Sequence, residues 1–200
     1  MPAGGHLLSH RDMQCMRLFN TVLGGSAGIR LSRALRDELW LTYRARSVLE
    51  PLADVGSLLV LFTGEPDGMA AIVATVRLTM DEPLEDGPTA QEVSRVRALV
   101  KGVYPRERED STQHARILAL ELFRRNRFTI QDAEAELLDS VTSQDIVQVA
   151  RRVLSPEAGR CVAVGPLPQA GLSLMNHTWN EPADTRAASE NPSGHASMPT

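Results

Sequence analysis

RLSRALRDELWLTY, residues 30–43, follows the small-residue run LGGSAG at residues 23–28, and the reading of this stretch decides the fold. Ile29, Leu31, Leu35 and Leu39 recur at helical spacing, so a helix is expected over about Ile29–Leu39, with Trp40 marking its end. Upstream, Met16, Phe19, Asn20 and Leu23 predict a first helix over Arg11–Leu23, stopped by Gly24-Gly25. Downstream, Tyr43–Leu49 reads as a strand. Pro51–Asp54 reads as a turn and Val55–Thr63, bounded by Gly64, as a second strand. Helix, glycine turn, helix and antiparallel hairpin therefore succeed one another within about fifty residues.

The remainder reads as mostly helical. Pro66 and Asp67 open a helix through Met80, with Met69, Ile72, Val73, Val76 and Met80 on one side, and the acidic loop DEPLEDGP at 81–88 is expected to end it. Thr89 with Glu92 forms a capping box ahead of a stripe of Val93, Val96, Val100 and Val103. A further helix is expected over Glu109–Arg125, its charges forming a solvated face, and another from Thr129 to about Leu138. Thr142 with Asp145 caps the next, in which Ile146, Val149, Val153 and Leu154 point inward, and Ser155-Pro156 ends it. A last short strand is expected at Arg160–Gly165. Residues 166–200 are poor in apolar groups and rich in Pro, Ala, Ser and Asn, so they read as a disordered tail.

Composition narrows the functional classes. In 200 residues, 42% are hydrophobic and 23% charged, enough for one domain with a tail. A formal charge of −4 gives no basic excess, so no nucleic-acid partner is expected. The longest apolar run, Leu58–Phe62, is far below the roughly 18 residues that span a bilayer. His6, His10, Arg11 and Asp12 interrupt the N-terminus before an export signal can form. A soluble, cytoplasmic protein without membrane partner is the expectation. Cys15 and Cys161 stand far apart and read as two buried, reduced thiols.

The candidate chemistry is sparse. HLLSH at His6–His10 spaces two histidines for a shared metal, but no carboxylate lies between them to activate water, and no third ligand is evident. His114, His177 and His195 are isolated. Gly24, Gly25 and Gly28 follow a helix instead of a strand, with no lysine-threonine or lysine-serine pair behind them, so they make no phosphate loop. Arg36 and Tyr43 remain. A guanidinium is a permanent planar donor fork, and a phenol can donate to an oxyanion or a peptide carbonyl. The competing structural reading pairs Arg36 with surface acids and packs Tyr43 under the helix.

These residues resemble a known segment. LGGSAGIRLSRALRDELWLTY is similar to the stretch of insulinase-like (pitrilysin-like, M16) peptidases written N-x-x-L-G-G, S-R-L, R-E-x-x-G-L-A-Y. Asn20, Leu23, Gly24 and Gly25 fit the opening, Arg30-Leu31 fits R-L, Arg36-Asp37 fits R-E, and Leu41 with Tyr43 fits the end. Asp54-x-Gly56, Val141-Thr142 and Ala163-Val164-Gly165 continue the resemblance over Met13–Gly165. Trp40 stands where the family keeps glycine and Thr42 where it keeps alanine, which puts the turn that aims Tyr43 in question.

The resemblance implies an α+β half-domain, an antiparallel or mixed sheet packed by helices, of the zinc-lacking C-terminal kind. On it, residues 1–12 form a poorly ordered N-terminus, 13–165 the M16-type domain and 166–200 the tail. In this family the zinc site H-x-x-E-H lies in the other half, so this chain is expected to bind no metal and to be inactive alone. Arg36 and Tyr43 are then substrate-binding residues reaching toward a peptide held at the zinc of a partner half. Only residues 1–12 precede the matched segment, so the first strands of such a half are expected to be missing, leaving an open edge at the hairpin. The implied function is a non-catalytic, substrate-holding half of a zinc metallopeptidase. The rivals are a stand-alone structural or binding module and a truncated fragment without activity.

Overall fold

Helix α1 (His10–Leu23) starts at Ser9, whose hydroxyl accepts from the Asp12 amide while the Asp12 carboxylate accepts from the Ser9 amide, a complete capping box. The computed structural model describes residues 8–25, 30–51, 56–125, 131–154 and 159–167, together with Ser173, Met175 and Trp179. Cys15, Met16, Leu18, Phe19 and Leu23 are fully buried, so α1 is hydrophobic on more than one face and forms the centre of the domain. It runs against α7 (Ser143–Val153), α4 (Ala90–Glu109) and the first strand. Gly24 ends it because nothing larger fits: a Cβ there would lie 2.5 Å from Leu31 Cδ1 and 3.1 Å from the Ser47 amide.

The second helix begins as expected but changes its winding. Helix α2 (Arg30–Ser32) passes into a π-helical turn over Arg33–Glu38. Leu31 and Leu35 are both fully buried, and the amide of Leu41 closes on the Leu35 carbonyl six residues back at 2.9 Å. The wide turn keeps Leu35 in the core while the chain swings outward.

Strands β1 (Arg44–Pro51) and β2 (Gly56–Thr63) pair antiparallel, with Ser47 opposite Val60. Ala45, Leu49, Leu58, Val60 and Phe62 face the core, while Leu59 and Leu61 face outward, the period-two alternation of a one-sided sheet. The fold is thus α+β: mostly helical, with one two-stranded antiparallel sheet among the described residues. The expected turn at 51–54 falls largely outside the described residues.

Several expectations are corrected. DEPLEDGP does not end the third helix near Met80; after a 3₁₀ turn at Pro66–Gly68, α3 runs Met69–Glu85 with Pro83 inside it. Pro83 lies in the last turn, where its missing N–H removes the i→i−4 hydrogen bond to the Thr79 carbonyl, while Arg151 donates to the carbonyls of Leu84 (2.6 Å) and Glu85 (2.9 Å), capping that end. No strand forms at Arg160–Gly165: Val162 and Val164 are almost fully exposed, and among the described residues the sheet consists of β1 and β2 without them. Val153 is one-third exposed instead of inward, since Ile146, Val149 and Ala150 already fill the contact of α7 with the core. Beyond Pro166, Met175 is buried and Trp179 packs against the core with the Arg77 guanidinium 5.4 Å from its ring, so the tail reading fails at these two residues.

Helices α5 (Ser111–Arg125) and α6 (Gln131–Ser140) complete the layer. Leu122 and Phe123 on α5 are exposed, so its surface is not purely the charged face expected. Cys15 is a buried thiol pushed up to about 11 by burial; Cys161 is only half-buried, and burial raises it as well. Both are free.

One buried cation joins three helices. Arg30, only 6% exposed, meets Glu92 on α4 through Nε (2.8 Å) and Nη2 (2.9 Å) and Glu82 on α3 through Nη1 (3.0 Å). Removing one partner of such a pair leaves charge uncompensated; because Glu82 stays open to water, Arg30→Ala should cost about 3 kcal/mol, read by urea unfolding. The Arg30 bond holds the Glu92 carboxyl at about 2, below its ordinary 4.5. A depressed folded-state value stabilises above the unfolded one, so this contribution is complete above pH 4.5 and fades as pH falls toward 2. The urea midpoint should fall across that window, and Glu92→Gln should flatten the fall.

Candidate functional site

The Arg33–Glu38 turn places the candidate residues at the surface. Arg36 is exposed, and its Nε donates to Asp37 Oδ1 at 2.8 Å; among the described residues its terminal nitrogens have no partner. The adjacent carboxylate raises the guanidinium further above its ordinary value, as does the nearby Tyr43 phenol. Arg36 lies in the turn and Tyr43 just before β1, and both are exposed. An exposed ion pair of this kind contributes little stability, so Arg36 is not needed by the fold. Of the structural reading, the surface pairing of Arg36 is observed, whereas Tyr43 does not pack under the helix: it is 90% exposed.

The two departures from the motif have separate physical roles. Trp40 has φ +55°, the left-handed region that glycine enters without a Cβ penalty, so the tryptophan takes up the backbone conformation a glycine would favour there. Its ring is 85% exposed and adds apolar surface beside Leu39, which is itself half-exposed. Thr42 is buried; its hydroxyl donates to the Thr63 carbonyl and accepts from the Arg44 amide at 3.1 Å. It ties the start of β1 to the end of β2 on either side of Tyr43. Leu41, just before it, packs against the core. Tyr43 is therefore a projecting side chain on an anchored backbone.

The sequence did not expose these supports. A buried threonine and a left-handed tryptophan carry no periodic signal, although the mismatch with the motif at both positions pointed to them. Of the other candidates, His6, Gly28, His177 and His195 lie outside the described residues. His10 pairs with Glu134, which also accepts from Gln14 Nε2 at 2.6 Å, so this histidine is part of a polar contact between α1 and α6. Among the described residues no three His, Cys, Asp or Glu side chains converge as a metal site. Nor is any described helix long and apolar enough to cross a membrane.

A central buried helix, a π turn delivering an exposed arginine and tyrosine, and a one-sided hairpin define an α+β half-domain with a peripheral polar-aromatic edge. The chain has the fold of the peptidase M16 inactive domain, and residues 4–100 match the family model of that description. Uncharacterized zinc proteases of Mycobacterium tuberculosis and Mycobacterium bovis are 25% identical to it over 151 residues, 76% of this chain and 34% of each relative. The chain thus spans about a third of these relatives. The crystal structure of the peptidase M16 inactive domain from Pseudomonas fluorescens superposes with a TM-score of 0.67 at 19% identity, over 76% of this chain and 36% of that one. For the periplasmic protease PqqL of Escherichia coli the TM-score is 0.64 at 18% identity, over 76% and 16%.

Trp40 supplies a direct check on the site. A left-handed non-glycine residue costs about 1 kcal/mol, and glycine loses a similar amount to unfolded-state entropy. Trp40→Gly should therefore leave the unfolding free energy within about 1 kcal/mol of the parent. A larger loss would mean that the exposed indole is held by contacts essential to the turn.

Proposed function

We propose that this chain is the substrate-holding, non-catalytic half of an M16-type zinc peptidase, working with a zinc-bearing half that binds the metal. The observation that carries the reading is the exposure of both Arg36 and Tyr43 on one short segment fixed by Leu35, Leu41 and Thr42. Short π-helical insertions recur at functional sites, which fits a turn whose side chains are turned outward. In this role the terminal nitrogens of Arg36 bind a carbonyl or carboxylate of the peptide. The Tyr43 hydroxyl donates to the carbonyl whose oxygen gains charge during cleavage. Metal-activated water comes from the other half, and positioning alone cannot replace it.

The same assignment explains why the site residues are dispensable to folding. Binding groups that serve only a partner's reaction gain nothing from burial in their own domain. The rival reading, a stand-alone binding module, would leave Arg36 and Tyr43 without a shared task.

Mixing the purified chain with a zinc-bearing M16 half and following cleavage of a fluorogenic peptide tests this. Neither protein alone should match the mixture. Arg36→Ala should lower kcat/KM about 10- to 100-fold with the complex still formed, corresponding to one lost charged hydrogen bond. Tyr43→Phe should lower kcat more than it raises KM, since its bond strengthens as the oxyanion develops. Unchanged kinetics in both variants would overturn the proposal.

A further inference from the structure

Among the described residues Trp40 is the one residue other than glycine with a positive φ, +55°. A bulky side chain is strained there where glycine would not be, and such outliers persist where the surrounding chain fixes them at functional sites. The fold draws nothing from this one, because the indole is 85% exposed. Its backbone, by contrast, is held by the bond from the Leu41 amide to the Leu35 carbonyl at 2.9 Å and by the buried Thr42. Trp40 precedes β1 by four residues and belongs to the turn, not to an edge of the sheet.

The neighbours share its exposure. Residues 36–40 are all open to solvent, Leu39 at 51%, and Tyr43 follows at 90%. Arginine, tryptophan and tyrosine are the residue types that most often carry binding energy at recognition surfaces, and each combines a flat, weakly hydrated body with a polar group. The local acids are already paired: Asp37 with Arg36 Nε at 2.8 Å and Glu38 with Arg33 Nε at 3.3 Å. The apolar part is narrow, one indole and one leucine. A stable contact between folded proteins buries about 800 Å² on each side, whereas one aromatic side chain buries about 150–250 Å². The patch therefore matches a single side chain of a bound peptide and not the face of a domain.

We propose that Trp40, with Leu39 beside it, is a specificity-determining surface that favours a large apolar or aromatic side chain at one position of the peptide. The inference rests on the substrate-holding reading, in which Arg36 and Tyr43 hold carbonyl or carboxylate oxygens. Backbone carbonyls are common to every peptide, so those contacts discriminate little among sequences. A side chain laid against the indole does discriminate. Aromatic rings stack offset or edge-to-face on it and aliphatic chains leave water against it, while a serine gains neither. Tryptophan at a position whose φ favours glycine thus adds selection to a turn whose other exposed groups supply binding.

Fluorogenic peptides that differ only in carrying phenylalanine or serine, placed in turn at each position around the cleaved bond, test this with the full chain and a zinc-bearing M16 half. At one position phenylalanine should be preferred at least about 10-fold in kcat/KM, the discrimination an apolar contact supplies. Trp40→Gly should bring that preference close to one by slowing the phenylalanine peptide far more than the serine peptide, and Trp40→Phe should restore part of it. Arg36→Ala should slow both peptides alike and keep the ratio. Should Trp40→Gly unfold, Leu39→Ser decides through a smaller fall in the same ratio. No preference in the parent, or an unchanged ratio in Trp40→Gly while Arg36→Ala is impaired, overturns the inference and leaves the substrate-holding reading standing. Cleavage indifferent to every variant overturns both. Equal slowing of the two peptides by Trp40→Gly, with weaker assembly by sedimentation, sets Trp40 against the other half and also overturns the inference.

Discussion

The fold depends on a charge placed where charge is costly. Arg30 sits at the start of α2 with its guanidinium buried, and only the fork to Glu92 and the contact to Glu82 make that position tolerable. In return the arginine fixes where α2 leaves α3 and α4. Everything that follows along the chain, the π turn, the left-handed Trp40, the anchored Thr42 and the hairpin, starts from that fixed point. Glu92 has two tasks at once: its carboxylate also closes the capping box with Thr89, so the same side chain starts α4 and neutralises Arg30.

This arrangement separates buried, stabilising side chains from exposed ones along a short stretch. Arg30, Leu31 and Leu35 point inward and hold the segment, while Arg36, Trp40 and Tyr43 point outward and contribute little to it. Leu41 and Thr42 interrupt the outward run and return the backbone to the core and to β2. The alternation lets the exposed residues change without unfolding the domain. It also explains how tryptophan can occupy a left-handed position: a fully exposed ring meets no steric demand beyond its own backbone.

Much of this was legible from residue patterns because it rests on periodicity and capping. Ser9 apart, the capping residues Thr89 and Thr142 were visible with their acidic partners, and the hairpin strands followed from the apolar runs at 43–49 and 55–63. Arg36 and Tyr43 were found through the motif, not through spacing. What could not be read depends on distant neighbours. Pro83 stays within α3 because Arg151, far along the chain, caps the carbonyls behind it. Val162 and Val164 have the composition of a strand but lie outside the sheet of the described residues, and a strand is defined by its partner as much as by its residues. Met175 and Trp179 lie in a polar stretch, and two apolar side chains there gave no periodic signal, yet both reach the core.

In the substrate-holding role proposed for it, the Arg36–Tyr43 edge touches the peptide cleaved at another half's metal. Placing a photoreactive benzoyl-phenylalanine at Tyr43 and irradiating the chain with a zinc-bearing half and an uncleavable peptide tests it directly. A covalent adduct between the chain and the peptide that depends on the partner half is the expected result. An intact complex of the two halves in which position 43 captures no peptide would contradict it.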